Sequence, residues 1–302
     1  MTCQMDFAHY HLVDVFSERP FAGNQLAVFP DGAAVPSECM QRIARELNLA
    51  ETVFVLPSSQ PQCQFRFRIF TPMAELPFAG HPTIGTACVL AELGFVRLSN
   101  GEGSMTAEEG VGPVPIVIRK IRDLFAAQFS AAMLPQTQPG TPSHAALSRM
   151  LSLEEHEILE AKAFSCGLPF LFVHLKNPKA VSRIRFDTSV WHEELSNAWA
   201  TEVYAFAREE NHIFARMFAP RLGIAEDPAT GGAAAALAGM LVNARMPDST
   251  LSWTISQGVE MERPSVLDLE ADVKAGAVCA VRVGGKTVPM GEGKMRILLP
   301  RQ

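Results

Sequence analysis

The stretch ELPFAGHPTIGTACVLAELGF, Glu75 to Phe95, sets a polar Gly-His-Pro-Thr cluster directly before a helix-length run with almost no polar face. Proline suits the first helical position, where its missing N–H costs nothing and its fixed φ is already helical. Pro82 is therefore read as the first residue of a helix, with His81 at or next to the N-cap. The body of that helix, IGTACVLAEL, carries Glu92 as its single charge. A helix that is apolar nearly all round must be enclosed on every side.

The same order of features recurs in the second half of the chain. Arg68-Ile69-Phe70-Thr71-Pro72 matches Arg216-Met217-Phe218-Ala219-Pro220. His81-Pro82-Thr83-Ile84-Gly85-Thr86-Ala87 lines up with Asp227-Pro228-Ala229-Thr230-Gly231-Gly232-Ala233, which makes Asp227 the counterpart of His81. The helix that follows, TGGAAAALAGML, has no charge at all. Two domains of similar topology are the economical explanation of such a repeat. The expected fold class is α+β, two pseudo-duplicated lobes, each a curved barrel-like sheet around one central helix. Gly85, Gly231 and Gly232 let strands approach those helices closely, which outweighs a propensity cost of ~1 kcal/mol per glycine.

Outward from the opening stretch, the remaining segments read mostly as short strands. HLVDVF and QLAVFP are joined by the turn-forming SERPFAGN, and ETVFVLP follows a helix, ECMQRIAREL, opened by Pro36 and Ser37. Met40, Ile43, Ala44 and Leu47 recur at three- and four-residue spacing, giving that helix one core-facing stripe. In QCQFRFRIF, Phe65, Phe67 and Ile69 alternate with Gln64, Arg66 and Arg68, the pattern of a half-exposed strand. The segment from Glu102 to Val114 is rich in glycine and short of large apolar groups, and PQTQPGTPSH, Pro135 to His144, is a stronger breaker cluster. An N-terminal lobe of residues 1–122 plus 288–302 and a C-terminal lobe of residues 123–287 are expected, with the active site in the cleft between them.

A chain of 302 residues with 48% hydrophobic content can bury a substantial core. Its 26 basic and 32 acidic residues give a formal net charge of −6 with no Lys/Arg cluster, which disfavours nucleic acid and anionic membranes and points to a small-molecule partner. No apolar run is long enough to span a membrane and no signal peptide opens the chain, so a cytoplasmic location is expected. The six cysteines, Cys3, Cys39, Cys63, Cys88, Cys166 and Cys279, are scattered without a CxxC pair, against a disulfide framework or structural zinc. Cys88 and Cys166 read as buried free thiols. No GxGxxG follows a strand, and GxSxG and HExxH are absent, so neither a dinucleotide site, a hydrolase triad nor a zinc protease motif is indicated. His9 and His11 share a strand face but lack a third metal ligand at suggestive spacing, so no metal and no cofactor are expected.

Three ionisable residues stand where chemistry can use them: Glu51 at a helix-to-strand junction, His81 at the first helix N-terminus and Asp227 at the second. Proton abstraction beside a carboxylate needs a base on one side and an acid to return the proton, and these groups supply both without a cofactor. Unpaired N–H groups at the two helix ends would hold an anionic substrate. Taken singly each has a structural explanation: a strand-edge carboxylate, a loop histidine, an Asp-Pro N-cap. Gln257-Gly258 and Arg263-Pro264-Ser265 form a further polar cluster, read as edge-turn residues or as a contact in the cleft.

These residues also carry a family signature. Asp14-Val15-Phe16 with Gly23-Asn24, Leu49-Ala50-Glu51-Thr52, Arg68 to Pro72, Glu75 to Thr83 and Glu226 to Gly231 together resemble the PhzF-like phenazine biosynthesis family over nearly the whole chain. The resemblance implies the diaminopimelate epimerase-like fold and a homodimer. It also implies a cofactor-free isomerase in which Glu51 is the acid/base, His81 and Asp227 line the site, and Gly80 with Gly231 gives backbone contacts. Gly232 stands where the phenazine enzyme has a serine, which removes a hydroxyl contact and separates the expected substrate from the phenazine precursor. The leading expectation is an isomerase or epimerase acting on a small carboxylate-bearing substrate. The alternative is a small-ligand binding protein on the same scaffold without turnover.

Overall fold

Strands whose side chains alternate in burial dominate the computed structural model, which describes residues 5–298. The chain forms two units, Met1–Ala132 with Gly284–Gln302, and Met133–Val283. In the first unit β1 (Met5–Val15), β2 (Asn24–Phe29), β3 (Glu51–Pro57), β4 (Phe65–Phe70), β5 (Glu75–Leu76), β6 (Glu102–Glu109), β7 (Gly112–Ile121) and β8 (Leu124–Ser130) follow one another. β1 pairs antiparallel with β2, β2 parallel with β3, β3 antiparallel with β4, and β4 parallel with β6. The antiparallel β6–β7–β8 meander then meets the C-terminal strand, Ala277–Leu298, which pairs back onto β1. The result is a closed eight-stranded barrel. Closure removes the unpaired edges that an open sheet would expose.

Two helices belong to this unit. α1 (Ser37–Leu47) buries Met40, Ile43 and Ala44 along one stripe and ends on Asn48, whose φ of 51° is the left-handed conformation of a helix stop. α2 (Gly80–Glu92) is buried at every residue from Gly80 to Ala91 and packs against β1, β2, β3, β7 and β8. The apolar run quoted above is therefore the filling of the barrel. Gly85 fits because a Cβ there would lie 2.6 Å from both Leu26 and Val15. The glycine-rich Glu102–Val114 segment is the β6–β7 hairpin, with Glu109 facing Gly112 across the turn.

The second unit contains β9 (Gln136–Gln138), α3 (His144–Leu151), β10 (Ile158–Ser165), β11 (Pro169–Leu175), α4 (Pro178–Arg183), α5 (Thr188–Leu195), β12 (Glu202–Glu209), β13 (His212–Ala219), β14 (Ile224–Asp227), α6 (Gly231–Leu241), β15 (Ser249–Gln257) and β16 (Ser265–Lys274). β17, the C-terminal strand already met, begins here. Its sheet runs β9–β10–β11–β12–β13–β15–β16–β17, with β11/β12 and β13/β15 parallel. α6 packs against β9, β10, β11 and β16, with Ala233 to Ala238 buried. The reading of the remaining segments as mostly short strands needs correction here. α3, α4 and α5 bury Leu147, Met150, Val181, Trp191 and Leu195 with Leu171, Val173, Val203 and Ala205 of β11 and β12. Each starts on a side-chain cap, Ser143, Asn177 and Asp187, that accepts from the first-turn N–H groups.

The duplication keeps the register of the sequence alignment through the Arg68–Phe70 and Arg216–Phe218 strands and departs from it at the helix starts. Thr52 faces Phe70 across β3/β4 as Val203 faces Phe218 across β12/β13. Arg68 grips Glu75 bidentately at 2.7 Å, and Arg216 grips Glu226 at 2.8 and 2.7 Å. Each guanidinium lies over the phenylalanine two residues on, at 5.0 Å from Phe70 and 5.1 Å from Phe218. Both helices begin on glycine after a matching N-cap, Ala79–Gly80 and Thr230–Gly231. His81 therefore corresponds to Gly232, and Asp227 corresponds to Leu76. The Asp-Pro pair looks like a helix start, but three further residues intervene before α6 begins.

Candidate active site

Glu51 opens β3, pairing with Leu26 of β2 directly after the α1 stop. His81 is the second residue of α2, inside the first turn and not at the cap, since Thr83 N–H already bonds Ala79 C=O at 3.3 Å. Pro82 is thus the third helical residue, still among those whose N–H would lack an intrahelical acceptor. The two side chains meet in unit 1, with His81 Nε2 at 2.9 Å from Glu51 Oε2. Both are buried, Glu51 at 8% and His81 at 4% exposure. The contact is short but off the line of a well-formed hydrogen bond. Catalytic hydrogen bonds commonly align only once substrate is bound.

The other face of the imidazole fixes its tautomer. Asn24 Nδ2 lies 3.3 Å from His81 Nδ1 and is buried. An amide NH₂ donates, so Nδ1 accepts and the proton of the neutral ring sits on Nε2, toward Glu51. Asn24 is held by the loop before it. Asp14 Oδ2 accepts from Phe21 N–H at 2.9 Å, and Gly23 takes a φ of 71° where a Cβ would collide with the Val15 carbonyl oxygen. The sequence alone does not single out Asn24 as a site residue. The signal available is its place directly after that glycine, at the end of a turn-forming segment.

A second carboxyl approaches the same helical turn. Thr83 Oγ1 lies 2.8 Å from the Ala79 carbonyl and 2.7 Å from Glu109 Oε1. A hydroxyl has one proton, and a carbonyl can only accept, so both bonds are satisfied when Glu109 is the donor. Burial pushes the Glu109 carboxyl up to about 8, which keeps the proton that it donates. Its neighbour Glu108 behaves oppositely. Hydrogen bonds from the Ser58 and Ser59 hydroxyls hold it down at about 2.

Asp227 ends β14 in the second unit and is buried. Thr230 Oγ1 donates to its Oδ2 at 2.5 Å. Gln257 ties the Asp227–Thr230 turn together, donating from Nε2 to the Asp227 carbonyl at 2.8 Å and to Thr230 Oγ1 at 3.0 Å. The buried Tyr204 hydroxyl donates to Gln257 Oε1 at 3.2 Å. Burial, with Asp227 nearby, raises the Tyr204 pKa, so the phenol keeps its proton. Gln257 is fully buried, not an edge-turn residue. Gly80 and Gly231 are the buried first residues of α2 and α6, and Gly232 follows Gly231.

Glu51 and His81 are thus brought together, while Asp227 is built into the other unit. Among the described residues no group of three or more His, Cys, Asp or Glu could hold a metal ion. Cys88 is buried as expected but Cys166 is only half-buried, and burial pushes both thiols up to about 12. Cys3 lies outside the described residues. No described helix is long and apolar enough to cross a membrane.

The family model for phenazine biosynthesis-like proteins, PhzC–PhzF, matches residues 13–293. The chain belongs to that family. An isomerase from Mesorhizobium japonicum, uncharacterised, is 40% identical over 306 residues, covering 97% of this chain and 100% of the relative. The trans-2,3-dihydro-3-hydroxyanthranilate isomerase of Pseudomonas aeruginosa is 34% identical over 290 residues, covering 94% of this chain and 98% of that enzyme. A phenazine biosynthesis protein of the PhzF family from Bacillus anthracis superposes with a TM-score of 0.85 at 25% identity, covering 97% of this chain and 100% of that one. Isomerase is the enzyme class of this chain, on the diaminopimelate epimerase-like fold that the family shares.

Proposed function

We propose that the protein is a cofactor-independent isomerase or epimerase that moves a proton on a small carboxylate-bearing substrate. Glu51 carries the proton, His81 holds and orients it, and Asp227 serves the same reaction from the second unit. The observation that carries this reading is the buried 2.9 Å contact between Glu51 and His81 in the first turn of α2. A neutral Nε2–H donor aims the Glu51 carboxylate. The carboxylate takes a proton from a substrate carbon, and the C–H electron pair passes into the adjacent conjugated or carboxylate system. The same carboxyl returns the proton to a different carbon or to the other face. The positive end of α2 and the backbone N–H groups at Gly80 favour the negative charge that develops in between. Gly231 and Gly232 contribute backbone contacts at α6.

Several relatives are named as isomerases of trans-2,3-dihydro-3-hydroxyanthranilate. Gly232 has no hydroxyl to offer such a ring, so a different small carboxylate is proposed for this chain, acted on in the cytoplasm by a homodimer. The decisive test is solvent deuterium incorporation, followed by mass spectrometry over a panel of small carboxylates that includes that compound. Wild type should exchange and turn over one of them, and Glu51→Gln should lose exchange while keeping the fold. Binding without exchange at any pH would instead favour a binding protein. Unchanged exchange in Glu51→Gln would remove Glu51 from the mechanism.

A further inference from the structure

The corrected register of the duplication gives Glu51 a twin. Leu26 pairs with Glu51 at the start of β3 one step before the Thr52–Phe70 pair, and Phe170 pairs with Glu202 one step before the Val203–Phe218 pair. Glu202 is thus the first residue of β12 and occupies the Glu51 position of the second unit. In unit 1 the carboxyl at this position meets the imidazole on the second residue of the helix. In unit 2 that second residue is Gly232, with no side chain. A Cβ built there would touch only two Phe170 ring atoms, each at 3.9 Å, so the place is open.

Glu202 is 1% exposed. Its Oε1 accepts from Thr201 Oγ1 at 2.9 Å, and its Oε2 has no hydrogen-bond partner among the described residues. Leaving a buried carboxyl oxygen unmatched costs free energy, so such an atom calls for a ligand or a role. The direction it faces is set by the strand. Alternate residues share a face, so Glu202 lies on the Tyr204 side of β12. Tyr204 bonds Gln257, which holds the turn leading into α6.

We infer that Glu202 is the donor of a second ligand subsite, at the Gly232 end of α6, that takes an acceptor oxygen of a small carboxylate. The subsite is the unit 2 counterpart of the Glu51–His81 pair, with the histidine replaced by space for ligand. Burial raises the Glu202 pKa, against smaller opposing effects of the Thr201 bond and of Arg221, so the carboxyl keeps a proton to donate at higher pH than an exposed glutamate does. The α6 N-terminus adds a partial positive charge toward the same oxygen. The inference rests on the reading that this fold binds a small carboxylate.

Acetate is the probe, followed in titrations of the full chain at about pH 6 through the ¹⁵N amide resonances of Gly231, Gly232 and Ala233. Saturable shifts are expected in wild type. Glu202→Ala should weaken acetate roughly tenfold, the loss of one hydrogen bond to a charged group. Glu202→Gln, which keeps the shape and a donor, should stay within about threefold of wild type. Gly232→His places an imidazole beside Glu202 as His81 stands beside Glu51, filling the open position, and should abolish the shifts, which keeps the test decisive if Glu202→Ala fails to fold. No saturable shift in wild type would overturn the subsite, as would undiminished binding in Gly232→His. The two readings fail distinguishably, since deuterium exchange in Glu51→Gln reports proton transfer and acetate shifts in Glu202→Ala report binding at the α6 end.

Discussion

Replacing Glu109 by glutamine should stabilise the protein above neutral pH and do little below about pH 5. The carboxyl goes from an ordinary value of 4.5 to about 8 in the fold, chiefly because it is buried. An acid whose folded pKa is raised holds its proton in the native state after the unfolded chain has released it. Between these two values the unfolded state binds fewer protons, so stability falls as pH rises, at about 1.36 kcal/mol per unit for this one group. The cost to wild type is then roughly 3 kcal/mol at pH 7 and approaches about 5 kcal/mol above the folded pKa, where it levels off. The introduced amide cannot ionise, and its NH₂ can still donate to Thr83 Oγ1, so the Glu109→Gln variant keeps the bond and sheds the slope. Urea unfolding of both proteins, from about pH 5 to about pH 9, measures the difference directly. The gap between the two unfolding free energies should widen by several kcal/mol across that window. Parallel curves would show that Glu109 is ionised in the native protein, and the assignment of Glu109 as donor to Thr83 would fall with them.

Other expectations follow from the same geometry. Asn24→Ala removes the donor that places the His81 proton on Nε2, and should lower turnover roughly tenfold or more while leaving the thermal midpoint nearly unchanged. Gly23→Ala forces a Cβ onto the Val15 carbonyl at positive φ and should cost about 2 kcal/mol or more in urea unfolding, with activity lost in parallel through Asn24. Gln257→Ala leaves the Asp227–Thr230 turn without its central bonds and should destabilise by about 2–3 kcal/mol, read as a lowered thermal midpoint. Light scattering on the purified chain should give twice the 32.9 kDa monomer mass.

Much of the barrel unit was legible because its signals are local. The stripe of Met40, Ile43 and Ala44 and the alternation through Phe65 to Ile69 both express one-sided burial, and the bodies of α2, with Glu92 its one charge, and of α6, with none, express enclosure. The meeting of Glu51 with the start of α2 followed once those elements were placed. What escaped the sequence depended on distant partners. The start of α6 is displaced from Asp-Pro because Gln257, on β15, holds the preceding turn. The hairpin at Glu102–Val114 read only as glycine-rich and short of large apolar groups because its strands bury small side chains such as Ala107 against the barrel. Glu109 and Glu202 are ordinary acidic letters until the pleat turns them inward. The helices α3 to α5 are six to eight residues long, too short for a clear period, although their caps were present.

The path of β17 bears on how the protein is made. Residues 287–298 pair with β1, the first strand of the chain, while β8 waits on the same C-terminal segment for its other neighbour. Everything that unit 2 needs is already synthesised by Val283. On a ribosome the N-terminal unit would therefore emerge first and close last, its barrel open along one seam through the synthesis of an entire second unit. Losing residues 287–298 would not trim a tail but strip β1 of its partner strand, unzipping a domain built mostly from the other end of the chain and leaving a sheet edge to any neighbour able to pair with it.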